Sequence, residues 1–233
     1  MINPTRRQEL WGGIRGELPI AVGVLPFGLI YGVLALAAGL PPLIAQATSA
    51  VVFAGSAQFI GVQLIGVGTP LSILWLTTFV VNLRHLLYSA SVSPYLHSLS
   101  SAWKWLLAYL LTDEAYVVAI LHYNDRAKPL RFKHYYFLGA GLTLWTSWQL
   151  STAVGIFLGA QVPARWSLDF TLALTFIGMI VPMLGERPFL AAAVSAAAVS
   201  ILAAALPYKL DLMAAALTGI VVGYTLENRR NRE

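Results

Sequence analysis

One apolar run after another, most of them long enough to cross a bilayer, fills the chain from Leu18 to Leu226. A bilayer core takes about 20 apolar residues per helix. Eight runs of that order can be placed: Leu18 to Ala38, Leu43 to Val67, Pro70 to Ser91, Trp103 to Leu121, Tyr135 to Gly159, Leu168 to Leu184, Phe189 to Leu206, and the shorter Leu212 to Leu226. Turn-forming residues divide them at Gly39-Leu40-Pro41-Pro42, Gly66-Val67-Gly68-Thr69-Pro70, Arg187-Pro188 and Pro207. None has the period-2 alternation of a barrel strand. The expected fold class is all-α, a polytopic membrane helix bundle of about eight transmembrane helices, with seven as the alternative. Composition agrees, because 58% apolar against 11% charged is too little charge to wet a soluble domain of this size.

This reading divides the chain into a cytoplasmic N-terminal tail (1–17), a transmembrane domain (18–226) and a cytoplasmic C-terminal tail (227–233). Sidedness follows from lysine and arginine. With eight spans, one side receives both tails and the 122–134 and 185–188 loops, which together hold eleven of the fifteen basic residues. The other side holds Lys104, Arg165 and Lys209, and Arg84 lies inside a span. Both termini are therefore expected in the cytoplasm; seven spans would strand one basic tail outside. Membrane orientation accounts for the net charge of +5, and no nucleic-acid surface is needed.

Several functions drop out. Thr5-Arg6-Arg7 starts like a twin-arginine signal, but no short apolar region with a small-residue cleavage site follows. The absence of cysteine removes disulfide scaffolds, thiolate metal sites and cysteine nucleophiles. No His-Glu-x-x-His, Gly-x-Ser-x-Gly, P-loop or dinucleotide fingerprint occurs. A chain without catalysis, cofactor, metal or ATP-driven pumping is expected.

Sliding the chain on itself gives six identities at an offset of 123, Gly32/Gly155 among them, a hint of the internal repeats common in transporters. Gly28-x-x-x-Gly32, Gly155-x-x-x-Gly159 and Gly219-x-x-x-Gly223 read as close helix packing. The alanine-rich run from Ala191 to Ala205 reads the same way, and Pro26 and Pro182 as kinks in their spans.

Polar groups inside spans cost several kcal/mol unless paired or hydrated, so each is a site candidate. The third run contains Asn82, Arg84 and His85, and the fourth Asp113 and Glu114. If about Ser93 to Ala102 forms an outer loop, Arg84 lies nine residues in, roughly 13 Å, and Asp113 eleven residues in, roughly 16 Å. An Arg84 pair with Asp113 or with Glu114 is expected, either as helix glue or lining a permeation path. His85, on one face with Asn82 and Ser89, reads as a proton relay or as a structural hydrogen bond to a neighbouring helix. In the second run, Gly55, Ser56 and Gln58 suit a locally broken helix whose freed backbone lines a substrate site, or a continuous helix with Ser56 and Gln58 bonded across an interface. Asp169 stands at the outer end of the sixth run, where it would favour a helix N-terminus.

Pro26-Phe27-Gly28, Phe53-Ala54-Gly55-Ser56-Ala57-Gln58-Phe59, Asn82-Leu83-Arg84-His85-Leu86-Leu87-Tyr88, Thr112-Asp113-Glu114 and Asp169-Phe170 occur in this order. Together they resemble the AzlC family of branched-chain amino acid permeases, the large subunits of AzlC/AzlD- and YgaZ/YgaH-type exporters. The resemblance covers nearly the whole chain. It implies export of valine, leucine, isoleucine or analogues across the bacterial inner membrane, with a small AzlD-like membrane subunit as partner. The residues fit a zwitterionic substrate. Arg84, or backbone N–H groups at a break near Gly55, would take the carboxylate; Asp113 or Glu114 would take the ammonium. Phe53, Phe59 and Tyr88 would wall an apolar pocket or serve in packing, and buried acids would couple export to protons. The competing readings are export of another small neutral amino acid, and a non-transporting accessory membrane subunit.

Overall fold

The computed structural model describes residues 5–125, 131–160, 187–206 and 210–230. The expected sixth span, with Asp169 and Pro182, lies outside the described residues. Every regular element described is a helix: α1 (Arg6–Ala37), α2 (Pro42–Val51), α3 (Gly55–Gly66), α4 (Leu71–Asn82), α5 (Arg84–Leu96), α6 (Ser101–Tyr109), α7 (Asp113–Asn124), α8 (Lys133–Gly159), α9 (Arg187–Leu202) and α10 (Leu210–Arg230). Among the described residues, three helical stretches are long and apolar enough to cross a membrane: Arg6–Ala37, Leu71–Leu96 and Leu210–Asn228. Large apolar side chains such as Trp75, Leu87, Trp105, Phe157 and Leu202 point outward, while Gln58, Gln149, Thr152 and Glu17 are buried. This is the inversion expected when lipid replaces water as the outer solvent. The chain is a membrane helix bundle.

Thr5 starts α1 with a capping box: its hydroxyl accepts from the Gln8 N–H, and the Gln8 side chain accepts from the Thr5 N–H. The helix then continues through Pro19 and Pro26. It ends where expected, at Gly39, whose φ of +87° only glycine adopts readily. The Gly39 N–H donates to Leu36 O and the Leu40 N–H to Ala35 O, a Schellman closure. Gly68, at φ +68°, closes α3 by the same pair of bonds, to Ile65 and Leu64.

The chain forms two compact units, Met1–Gln63 with Thr78–Pro163, and Leu64–Thr77 with Ala164–Glu233. In the second, α9 packs on α10, and Gly219 and Gly223 lie against Ala192 and Ala196. Both small-residue stripes read from the sequence are thus in contact. The Thr77 hydroxyl reaches Met213 Sδ at 3.6 Å in the same unit.

In the first unit α1 runs parallel to α8 over most of its length. Gly13 meets Tyr136, Gly28 meets Ser151 and Gly32 meets Gly155, each pair 123 residues apart. Around them α5, α6 and α7 take a course that differs from the expected one. Tyr95 near the end of α5 donates to Asn124 Oδ1 at the end of α7 (2.8 Å). Trp103 at the start of α6 packs on His134 and Tyr135 at the start of α8, with ring centroids 4.9 and 5.2 Å apart. At the other extreme of α6, Tyr109 accepts from Trp145 Nε1 (2.7 Å). Helix α6 therefore enters the bundle alongside α8, turns at Leu110 to Thr112, and α7 returns to the same end. The run from Trp103 to Leu121, expected to cross once, is folded back on itself. Residues 93–102, taken above as an outer loop, lie at the end where α1 and α8 begin, and Lys104 lies with them.

Candidate functional site

Three helical runs of the first unit are interrupted: α2/α3 at Val52 to Ala54, α4/α5 at Leu83, and α6/α7 at Leu110 to Thr112. A helix end leaves backbone donors and acceptors without intrahelical partners. Inside a bilayer these must be satisfied locally or face a polar path.

The second and third interruptions hold the ion pair. Arg84 is the first residue of α5 and Asp113 the first of α7, and Arg84 Nη1 lies 2.8 Å from Asp113 Oδ2. Asp113, rather than Glu114, is thus the partner. The expected pair is present, but for a different reason from the shared outer loop. Helices α5 and α7 are parallel, and their starts lie level because their far ends also meet at Tyr95 and Asn124. Each start is eleven or twelve residues from that end, roughly 16–18 Å deep at 1.5 Å per residue, near the middle of a bilayer core about 30 Å thick. Thr112 caps α7, accepting from the Ala115 N–H at 3.3 Å, and Asp113 and Glu114 occupy the first turn, where the helix dipole favours negative charge. The pair is monodentate. Arg84 Nε and Asp113 Oδ1 are buried without a hydrogen-bond partner among the described residues, and so is Asn82 Oδ1.

His85 Nδ1 lies 3.1 Å from Asn82 O. It bonds to its own helix across the Leu83 interruption, not to a neighbouring helix. The Tyr88 ring is edge-on to His85 at 5.8 Å and stacked on Tyr116 at 4.6 Å, whose hydroxyl reaches Ser91 Oγ at 3.0 Å. A cavity of about 260 Å³ opens along the same helices. Ser89, Val92, Leu96, Leu107, Leu111 and Phe137 line it, with His97 and Lys104 toward the end where α6 begins. Its inner members Ser89 and Leu111 are five and two residues from Arg84 and Asp113.

Of the two readings left open near Gly55, the helix is broken, and Gln58 is also bonded across an interface. The Gln58 amide donates to Ser49 O (3.1 Å) and to Val52 O, covering carbonyls at the end of α2, while Trp148 Nε1 donates to Gln58 Oε1 at 3.1 Å. Behind it, Gln46 Nε2 donates to Gln149 Oε1 (2.7 Å) and Ser49 shares a 3.1 Å hydrogen bond with Thr152. A Cβ at Gly55 would meet the Trp148 ring at 3.2 Å. Ser56 is half-buried in the first turn of α3. Phe59 is buried, edge-on to Tyr31 and Trp148, so it serves in packing. Phe53 lies beside Tyr109, with centroids 6.2 Å apart. The Tyr109 hydroxyl, donating to Ala50 O at 2.6 Å, ties this break to the end of α6.

Counting runs missed four further groups. Glu17, placed in a polar tail, is a fully buried residue of α1, and neither carboxylate oxygen has a hydrogen-bond partner among the described residues. Glu9, one turn into α1, pairs with His122 near the end of α7, Oε2 to Nε2 3.0 Å. The Tyr136 ring stacks on His122 at 3.7 Å. The capping box at Thr5 and the Glu9, Gly13, Glu17 spacing of four were the available signals. Outside the spans, burial pushes His134 below the usual histidine range, and Arg6 and Lys133 push it further.

The sequence has relatives across most of its length. A family model described as "AzlC protein" matches residues 19–162. "Inner membrane protein YgaZ" of Escherichia coli (strain K12) is 30% identical over 219 residues, which cover 91% of this chain and 86% of the relative. An "Uncharacterized membrane protein" of Archaeoglobus fulgidus is 29% identical over 212 residues, covering 89% and 90%. "Branched-chain amino acid transport protein AzlC" of Bacillus subtilis (strain 168) is 26% identical over 178 residues, covering 74% and 68%. No solved structure matches the chain.

Proposed function

The chain belongs to the AzlC family, and from that premise we propose that it is a secondary transporter exporting branched-chain amino acids across the bacterial inner membrane. The observation that carries the reading is the monodentate Arg84–Asp113 pair at two helix interruptions in mid-membrane. An amino acid is a zwitterion of matching charge. Its carboxylate can take Arg84, whose Nε is an unused donor, and its ammonium can take Asp113, whose Oδ1 is an unused acceptor. Such a ligand replaces one ion pair by two. A singly charged solute would leave one charge of this half-buried pair uncompensated. The neighbouring cavity presents Val92, Leu96, Leu107, Leu111 and Phe137 to a branched apolar side chain, with Ser89, Ser93, His97 and Lys104 as its polar lining. The printed name of the Bacillus subtilis relative supports the same substrate class.

Three finer elements belong to the proposal. The end where α1 and α8 begin carries Arg6, Arg7, Lys104, Arg131 and Lys133, which favours it as the cytoplasmic side and the N-terminus with it; the C-terminus is assigned there by its own arginines. A small AzlD-like membrane subunit completes the transporter, and protons drive it. Cells with and without the gene, fed a valine- or leucine-containing dipeptide, test the core of the reading. Valine and leucine pools should fall several-fold faster with the gene, and Arg84→Met or Asp113→Asn should abolish the difference. Equal decay would refute the substrate assignment, and reconstituted transport by this chain alone would exclude an accessory role. Coupling through Asp113 or Glu114 fails if Asp113→Asn and Glu114→Gln leave efflux and its pH dependence intact.

A further inference from the structure

Glu17 is a buried titratable group that the substrate site does not use. Its partners in space follow from the register of α1 on α7. Glu9 pairs with His122, and a Cβ at Gly16 would lie 3.2 Å from Val118 Cγ1, so Glu17, eight residues along α1, lies level with Glu114, eight residues back along α7. The helices are antiparallel here, and each step is roughly 12 Å of helix. From α8, Tyr136 lies between the two levels. Its ring stacks on His122, while its hydroxyl would lie 2.6 Å from a Cβ at Gly16, the neighbour of Glu17. Helix α2, also packed on α1, has no titratable residue, and Arg15 of α1 is exposed. Behind Glu114 stands Asp113 with its partner Arg84. The seam thus carries His122, Glu9, Tyr136, Glu17 and Glu114 in order from the bundle end to the depth of the ion pair. No cation is paired with Glu17 among the described residues.

We propose that Glu17, set against Glu114 across the α1–α7 seam, is the site that carries the coupling proton, and that Tyr136 with the His122–Glu9 pair connects it to the bundle end where α1 begins. A fully buried carboxylate with two unpartnered oxygens is too costly to remain an ion, and binding one proton makes it a neutral acid. When a substrate ammonium occupies Asp113 beside Glu114, the local positive charge favours loss of that proton. It passes to the seam and leaves at the His122 end, and Glu17 is recharged in the next cycle by one proton taken from the opposite side of the membrane. Substrate and proton are in this way linked through Glu114 without sharing a carboxylate. The inference rests on the proton-driven reading above and adds the group that carries the charge.

The test uses the full chain co-reconstituted with its small membrane partner in liposomes, with valine flux driven either by a pH gradient or by valine counterflow, which needs no net proton movement. Wild type should respond to the gradient. Glu17→Gln should lower gradient-driven flux at least about tenfold and lower counterflow far less, while Glu17→Asp should restore part of the gradient response. In infrared spectra at neutral pH, a protonated-carboxyl band present in wild type should be missing from Glu17→Gln. If Glu17→Gln does not fold, Tyr136→Phe carries the test, since removal of one hydroxyl should slow gradient-driven flux more than counterflow. A wild type indifferent to the gradient overturns proton drive and this inference together. A responsive wild type whose response survives in Glu17→Gln, or in Tyr136→Phe where that is the variant measured, overturns the inference alone. So does a Glu17→Gln protein in which only the valine KM rises, because Glu17 would then be an ammonium site.

Discussion

The α1–α8 seam and the α5–α6–α7 cluster occupy the same unit and solve opposite problems. Along the seam, glycines let two backbones touch. A Cβ at Gly13, Gly28, Gly32, Gly139 or Gly155 would fall within 3.0 Å of the facing helix, closer than packed atoms allow. Both helices are long and continuous, with their hydrogen bonds internal. In the cluster α6 and α7 have 9 and 12 residues, and α5 is joined to α4 through a turn at Leu83. Helix ends lie at mid-depth, and Arg84, Asp113 and Asn82 keep unused valences. Without a hydrophobic force between helices in lipid, close packing must supply the rigidity. A frame held that way can support interrupted neighbours whose polar ends stay available for a ligand. Stability and substrate chemistry are in this way assigned to separate helices.

The contrast breaks most severely if the frame is forced apart. Gly32→Leu places a side chain into Thr152, Gly155 and Ile156 backbone atoms, and overpacking with no flexible neighbour to yield should cost about 3 kcal/mol or more. The expected result is little or no monodisperse protein in detergent. Gly23→Leu, at a position where a Cβ meets nothing within 4 Å, should be recovered like wild type. Equal recovery of both variants would show that the seam does not hold the unit together.

An intermediate effect is expected where frame and interruption meet. Gln58→Leu removes the amide that covers Ser49 O and Val52 O and leaves Trp148 Nε1 without its acceptor. Each buried polar group left unpaired costs about 1–3 kcal/mol. Thermal unfolding in detergent should begin several degrees lower, on the order of 4 °C per 1–2 kcal/mol for a chain of this size. An unchanged melting temperature would mean that the 52–54 break is held by packing around Trp148 alone.

These two regions were unequally legible in the sequence. Glycine spacing exposed the seam, and the 123-residue offset that suggested a repeat is the register at which Gly13, Gly28 and Gly32 meet α8. The broken helix at Gly55 was readable because glycine beside two polar residues is anomalous inside an apolar run. Arg84 and Asp113 were readable as charges in lipid. The fold-back at Leu110 to Thr112 was hidden, because run length and hydropathy do not distinguish one crossing from two short helices of the same composition. Thr112-Asp113-Glu114 is a helix-start signature, a capping hydroxyl followed by two acids, although its acids also read as partners for Arg84. Glu17 was lost to the assumption that a span starts at its first unbroken apolar residue. Yet α1 starts at Arg6, directly after its cap and twelve residues before Leu18.

The smallest expected effect tests whether the entrance of α6 is fastened to the frame. His134, in the first turn of α8, packs edge-on against Trp103 of α6. Burial is the main reason its proton affinity is lowered from the ordinary value of 6.5, and the nearby Arg6 and Lys133 lower it further. A base with a depressed folded-state value binds protons more weakly folded than unfolded, so acid favours unfolding. The His134 contribution is complete above pH 6.5 and is lost as pH falls through the lower folded value. His134→Gln keeps a polar side chain of similar size but does not titrate. Between about pH 7.5 and about 5.5, wild type should lose slightly more melting temperature than the variant, by no more than about 2 °C, because the site is partly solvent-screened. A variant that loses more than wild type would reverse the sign, and the α6 entrance would then be held by a charged His134 instead of a neutral ring against Trp103.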